Sequence, residues 1–138
     1  MTEATENTFH FELVSPAKKL AETPAYQVIV PGQDGDLGVR KGHSSFVVSV
    51  RAGVVEILKT PESTPEKVFV VGGFADISSD NCTVLAEEAT PVEELDKSEI
   101  EAQISEIETK LSSEQTDIEK KRLSHKLDIE KAKLVACG

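Results

Sequence analysis

Residues 87–96 read EEATPVEELD, and they divide the chain into two kinds of structure. Before them apolar residues alternate with polar ones at a period of two, and after them they recur every three or four positions, so strands give way to helices here. Pro91 interrupts the junction. Asp96, three residues before Glu99, has the spacing of a helix N-cap and its partner at the third helical position. Ile100, Ile104, Ile107 and Leu111 then form one apolar stripe. After SSEQ, Thr116 and Glu119 repeat the capping pattern, and Leu123, Leu127 and Leu134, flanked by Ile118 and Ile129, form a second stripe. The short connection predicts an antiparallel helical hairpin. Both stripes are narrow, and helices draw most of their stability from packing, so the hairpin needs a host surface on the rest of the chain or on a partner.

Working back from the junction, Phe9, Phe11 and Leu13 alternate with Thr8, His10 and Glu12, and β-branched or aromatic runs follow at 26–30, 46–50, 54–58, 68–71 and 83–85. Pro and Gly punctuate them. Several short strands around one core predict a two-layer β-sandwich or a barrel over 1–90, with the hairpin over 91–138.

At 138 residues and a formal net charge of −10, the chain is one modest domain with an appendage, and its field repels phosphate backbones and anionic headgroups. Nucleic acid and bare membrane are therefore disfavoured, which leaves proteins as the expected partners. MTEATENTFHF lacks the basic and apolar regions of a secretory signal, and its two glutamates argue against a transit peptide. No run approaches the roughly 20 apolar residues that span a bilayer. Cys82 sits in an apolar run and Cys137 is one residue from the C-terminus, which argues against a disulfide and against a zinc site.

VPGQDGDLGVRKGH, residues 30–43, sets Gly32, Gly35 and Gly38 among Asp34 and Asp36 and closes on His43. The glycine spacing matches neither a dinucleotide fingerprint nor a P-loop, and the aspartates repel an anion. A calcium loop counted from Asp34 would want an oxygen ligand where Gly38 stands and a glutamate where Ser45 stands. What remains is a glycine-rich turn with solvated carboxylates, or a docking surface. His43 is titratable, but no Ser or Cys nucleophile accompanies it in a recognisable elbow, and His10 and His125 lie on other elements. No catalytic residue, metal site or cofactor is predicted.

FHFELVSP, the 30–43 loop, GGFADI at 72–77 and TVLAEEA at 83–89 occur in the order and spacing of the epsilon-subunit family of F-type ATP synthase, which the chain resembles and which is similar to the mitochondrial delta subunit. The resemblance implies an α+β fold: an antiparallel β-sandwich of about ten strands, then the hairpin. It implies a non-catalytic rotor subunit between the gamma subunit and the membrane c-ring, reaching the catalytic alpha and beta subunits if the hairpin extends. Asp34, Gly35 and Asp36 match the family's c-ring-docking loop, and Gly42 and His43 its gamma-contact segment. The setting implied is the cytoplasmic face of a bacterial inner membrane, favoured by Met1 and the acidic start, with the mitochondrial matrix as the alternative. Membrane association would come only through the complex. Many bacterial members carry a nucleotide motif of the form Ile/Leu-Asp-x-x-Arg-Ala, and here LDKSEI at 95–100 keeps Asp96 but puts Glu99 at the arginine position. A glutamate cannot replace a guanidinium facing phosphate, so Asp96 is better explained as a helix cap. The other reading the residues allow is a freestanding cytosolic β-sandwich binding module that self-associates through its hairpin.

Overall fold

The computed structural model describes residues 7–137. The acidic start at 1–6, part of the reading against an export signal, lies outside them. Eight strands come first: β1 (Phe9–Val14), β2 (Lys19–Ala25), β3 (Gln27–Gly32), β4 (Gly35–Arg40), β5 (Phe46–Ser49), β6 (Gly53–Leu58), β7 (Glu66–Ile77) and β8 (Asn81–Pro91). A 3-10 turn (Val92–Glu94) leads to helices α1 (Lys97–Ser113) and α2 (Asp117–Cys137). Contacts group into two compact units, Met1–Pro91 and Val92–Gly138.

The strands join in the order β2-β1-β8-β7-β6-β3-β4, with β5 added beside β7. One path makes two layers because β7 and β8 are long and pass from one to the other. The first half of β7 pairs with β6 through Glu66–Val70, and its second half pairs with β5 through Phe74–Ile77. The inward positions change parity on the way: Val68 and Val70 face the core before the corner, Ala75 and Ile77 after it. Along β8 the change runs from Cys82, Val84 and Ala86 to Ala89. The corner in β7 is Gly72-Gly73, at φ 62° and 108°, a backbone that residues with a Cβ rarely adopt. Counting each half of β7 and β8 in its own layer turns eight continuous strands into the ten expected.

Phe9, Phe11 and Leu13 on β1, Val28 and Val30 on β3, and Val55 and Ile57 on β6 fill the space between the layers. Among the described residues all strand pairs are antiparallel except β1 with β8, which run parallel from His10↔Asn81 to Val14↔Leu85. A parallel pair needs a long crossover, and here nearly the whole sandwich lies between the two strands.

In the second unit, Asp96 caps α1: its Oδ1 accepts from the backbone N–H of Ser98 (3.0 Å) and of Glu99 (3.3 Å). At α2 the N–H of Glu119 donates to Thr116 Oγ1 (3.3 Å), but Glu119 turns its carboxylate to Arg122. Glu114 supplies the other half of that cap, accepting from the N–H groups of Gln115 and Thr116. Ile107, Leu123 and Leu127 form the hairpin's buried seam, with Ile104 and Leu111 against it. Ile118, expected to flank that seam, is 81% exposed.

Candidate functional site

The 30–43 stretch is a hairpin rather than an open loop. Strands β3 and β4 pair from Gln27↔Arg40 to Gly32↔Gly35, leaving only Gln33 and Asp34 to turn the chain. Among the described residues none other than glycine takes a positive φ, so the unusual backbone falls on Gly35 (φ 137°). This brings Asp34, Gly35 and Asp36 together at an exposed tip.

The two carboxylates differ. Asp36 Oδ1 accepts from Arg51 Nη2 at 2.7 Å, while Arg51 Nη1 donates to the Gly32 carbonyl at 2.6 Å. The same residue's backbone N–H donates to Pro31 O (2.9 Å), and Gln33 N–H donates to Ser49 O (2.9 Å). Asp34 has no ion pair among the described residues. Sequence reasoning missed Arg51, because it follows Asp36 by fifteen positions and nothing in VRAG points back to the turn.

Gly42 and His43 lie beyond the other end of β4, roughly 20 Å from the tip at about 3.3 Å per strand residue, so they do not share a site with it. Gly42, at φ 89°, donates its N–H to Ser79 O (2.8 Å). The half-buried His43 places Nδ1 2.8 Å from Ser44 O and its ring 5.3 Å from that of Phe46. Its neighbours are thus a carbonyl and an aromatic ring, with no nucleophile in that set. Beyond Phe46, the outward face of the sheet carries Val47, Phe74 and Leu85, which are 62%, 54% and 52% exposed. Phe74 and Leu85 are register partners, and Val47 lies opposite Asp76. The runs at 46–50 and 83–85 gave Val47 and Leu85 as strand while Phe74 fell between the runs at 68–71 and 83–85, and nothing in them distinguished the outward apolar positions from the inward ones.

One further group of titratable side chains converges on β1 and β2. His10, Glu12 and Glu22 place potential ligand atoms within 4.8 Å of one another. Lys19 already stands between the carboxylates, 3.0 Å from Glu12 and 2.7 Å from Glu22. Its hydrogen bond lowers the Glu22 pKa, and those carboxylates raise that of Lys19. The set is accounted for as exposed ion pairs. Cys82 and Cys137 are both free; burial, then the charge of Asp76, pushes the Cys82 thiol up to about 12, which leaves it unreactive.

The chain is a two-layer sandwich followed by a helical hairpin, with carboxylates exposed on a tight turn at one place and apolar side chains exposed on a sheet face at another. Residues 8–92 match the family described as ATP synthase, Delta/Epsilon chain, beta-sandwich domain. The ATP synthase epsilon chain of Bradyrhizobium sp. strain BTAi1 is 45% identical over 108 residues, 78% of each chain. That of Rhodospirillum centenum is 45% identical over 101 residues, 70% of this chain and 69% of its own. The chain belongs to the delta/epsilon family of ATP synthase subunits. A chain of the Euglena gracilis mitochondrial ATP synthase, solved as OSCP/F1/c-ring in rotational state 1, shares the fold: TM-score 0.85 at 20% identity, covering 95% of this chain and 82% of that one.

Proposed function

We propose that this chain is the non-catalytic subunit that couples gamma to the c-ring in the central stalk of a rotary ATP synthase. The observation that carries the reading is the family match, which spans the sandwich and, in the epsilon chains, runs on into the hairpin. It favours a stalk subunit over a freestanding binding module. Asp34, Gly35 and Asp36 dock on the ring: a two-residue turn allows close approach, and carboxylates suit the basic residues expected on cytoplasmic loops of a membrane protein. Gly42 and His43 contact gamma, which also covers Val47, Phe74 and Leu85, since β5 continues directly from that loop.

The subunit is peripheral, held at the membrane through the complex, and works at the cytoplasmic face of a bacterial inner membrane. No described helix is long and apolar enough to cross a bilayer. Residues 1–90 act as the docking domain and 91–138 as the regulatory hairpin, which reaches the catalytic alpha and beta subunits when extended. Asp96 holds the start of α1 and takes no part in nucleotide binding. Size-exclusion chromatography of the chain, alone and with a purified gamma subunit, tests this: co-elution is expected, and it should weaken for Phe74→Glu. Self-association that excludes gamma would overturn the reading.

A further inference from the structure

The ion pairs on β1 and β2 divide their carboxylates in a specific way. Lys19 Nζ takes one oxygen of each, Glu12 Oε2 at 3.0 Å and Glu22 Oε1 at 2.7 Å. The other oxygen of each turns to a single atom, His10 Nε2, which lies 3.8 Å from Glu12 Oε1 and 3.1 Å from Glu22 Oε2. Ligand atoms bound about 2.0–2.2 Å from a tetrahedral zinc ion stand about 3.4 Å apart, and the two separations fall on either side of that value. All three groups place ligand atoms within 4.8 Å of one another. The backbone fixes the set: His10 and Glu12 are alternate residues on one face of β1, which is bonded on both sides, to β2 and to β8, and Glu22 is the cross-strand partner of Glu12. Carboxylates that ligate a metal are themselves hydrogen-bonded, and Lys19 supplies that bond to both. Two carboxylates against one ammonium leave negative charge in excess beside a neutral imidazole, which attracts a cation.

We propose that His10, Glu12 and Glu22 form a surface site for a divalent transition-metal ion of the zinc type. Imidazole together with carboxylate suits zinc and its neighbours, whereas magnesium and calcium are bound through oxygen ligands. Three protein ligands leave a fourth position toward solvent, since His10 and Glu22 are each 44% exposed. A bound ion ties β1 to β2, the strand at one end of the sheet order, beyond what the backbone ladder does, and so stabilises the folded sandwich. The site stands apart from the β3–β4 turn and does not depend on the stalk reading.

Calorimetric titration of Zn²⁺ into the purified full chain, at neutral pH and physiological salt, tests the site. One saturable equivalent of micromolar affinity is expected. Losing a ligand costs at least as much as losing an outer-shell partner, so His10→Ala, Glu12→Gln and Glu22→Gln should each weaken binding by about tenfold or more. His125→Ala removes an exposed histidine from α2 and should leave the affinity unchanged, as should Cys137→Ser. Excess Mg²⁺ should not displace the zinc. The second readout is thermal unfolding: saturating Zn²⁺ should raise the midpoint of the wild-type chain and not that of Glu22→Gln, and midpoints without metal confirm that each variant is folded, as expected for side chains on the surface. No saturable binding, or several weak equivalents spread over the acidic surface, would overturn the site. So would affinity that survives both glutamine substitutions, which would reduce the site to a lone histidine, or affinity that Cys137→Ser abolishes.

Discussion

Replacing Gly73 by alanine tests the corner that turns one path of strands into two layers. A Cβ on Gly73 would collide with the Leu85 carbonyl and crowd Ala86 Cα, both on the paired strand β8, where the backbone cannot swing aside without breaking the ladder. The φ of 108° adds a second penalty, since such backbone costs of order 1–3 kcal/mol for a residue with a Cβ. Overpacking against a fixed neighbour costs about 1–3 kcal/mol more. Against this, alanine restricts the unfolded chain and returns roughly 0.4–1 kcal/mol. The net loss is about 1–6 kcal/mol, and at roughly 4–8 °C per kcal/mol for a unit of this length the midpoint should fall by at least about 4 °C. Two other glycines separate the contributions. Gly35 has φ 137° but open space around its would-be Cβ, so Gly35→Ala isolates the backbone penalty; Gly38 has neither and should shift stability by less than about 0.5 kcal/mol. Thermal and urea unfolding followed by circular dichroism measures all three. If Gly73→Ala lost no more than Gly35→Ala, the collision with β8 would be irrelevant and the corner argument wrong.

Four further outcomes are expected. In the native chain a thiol reagent should modify Cys137 and reach Cys82 only after unfolding, because Cys82 is fully buried with its pKa pushed up to about 12; fast reaction at both would contradict the packed core. Backbone donation from Thr116 and Gln115 lowers the Glu114 pKa below its ordinary 4.5, so its contribution is present above that value and lost as pH falls through the folded pKa. Helix signal should decline on acidification below about pH 4.5, and a Glu114→Gln variant that declines just as steeply there would refute the cap's part in it. A chain stopped after Val92 keeps every strand and should melt cooperatively, whereas insoluble protein under native conditions would show that the sandwich needs its hairpin. Finally, removing everything after Asp96 should change ATP hydrolysis by the assembled head to the same extent with and without ATP preincubation; a severalfold ATP-dependent release would restore a nucleotide role.

What the sequence showed of the fold, and what it hid, follows from burial. Strands with an inward apolar face were legible: β1 through Phe9, Phe11 and Leu13, and β6 through Val55 and Ile57. The two that no apolar alternation marked, β2 and β4, are the ends of the strand order. An edge strand bonds on one side only, so β2 tolerates Pro24 and needs few buried residues, and β4 buries Val39 alone. Gly72-Gly73 reads as punctuation because nothing local distinguishes a break between strands from a corner within one. The cap at Asp96 was legible because its chemistry is complete within four residues.

Charge pairing was the least legible layer. On α2 the spacing of Asp117 and Lys121 invites a pair and leaves little positive charge for a partner, yet the pairs that form are Arg122 with Glu119 and Lys133 with Glu130. Lys120, Lys121, Lys126 and Lys131 make no ion pair among the described residues, although Lys120 and Lys126 lie close enough to Glu114 and Glu119 to lower their pKa values. Exposed pairs are worth only a few tenths of a kcal/mol, so many arrangements are nearly equal and local spacing cannot choose among them. The Asp36–Arg51 pair is settled by something stronger. The backbone bonds of Arg51 to Pro31 and of Gln33 to Ser49 fix where the guanidinium starts, and the Gly32 carbonyl fixes where half of its fork ends. Once the sandwich closes, Asp36 is the carboxylate within reach of the other half. Two aspartates that look interchangeable in sequence thereby differ in the folded chain, one paired with a residue fifteen positions away and the other without an ion pair among the described residues.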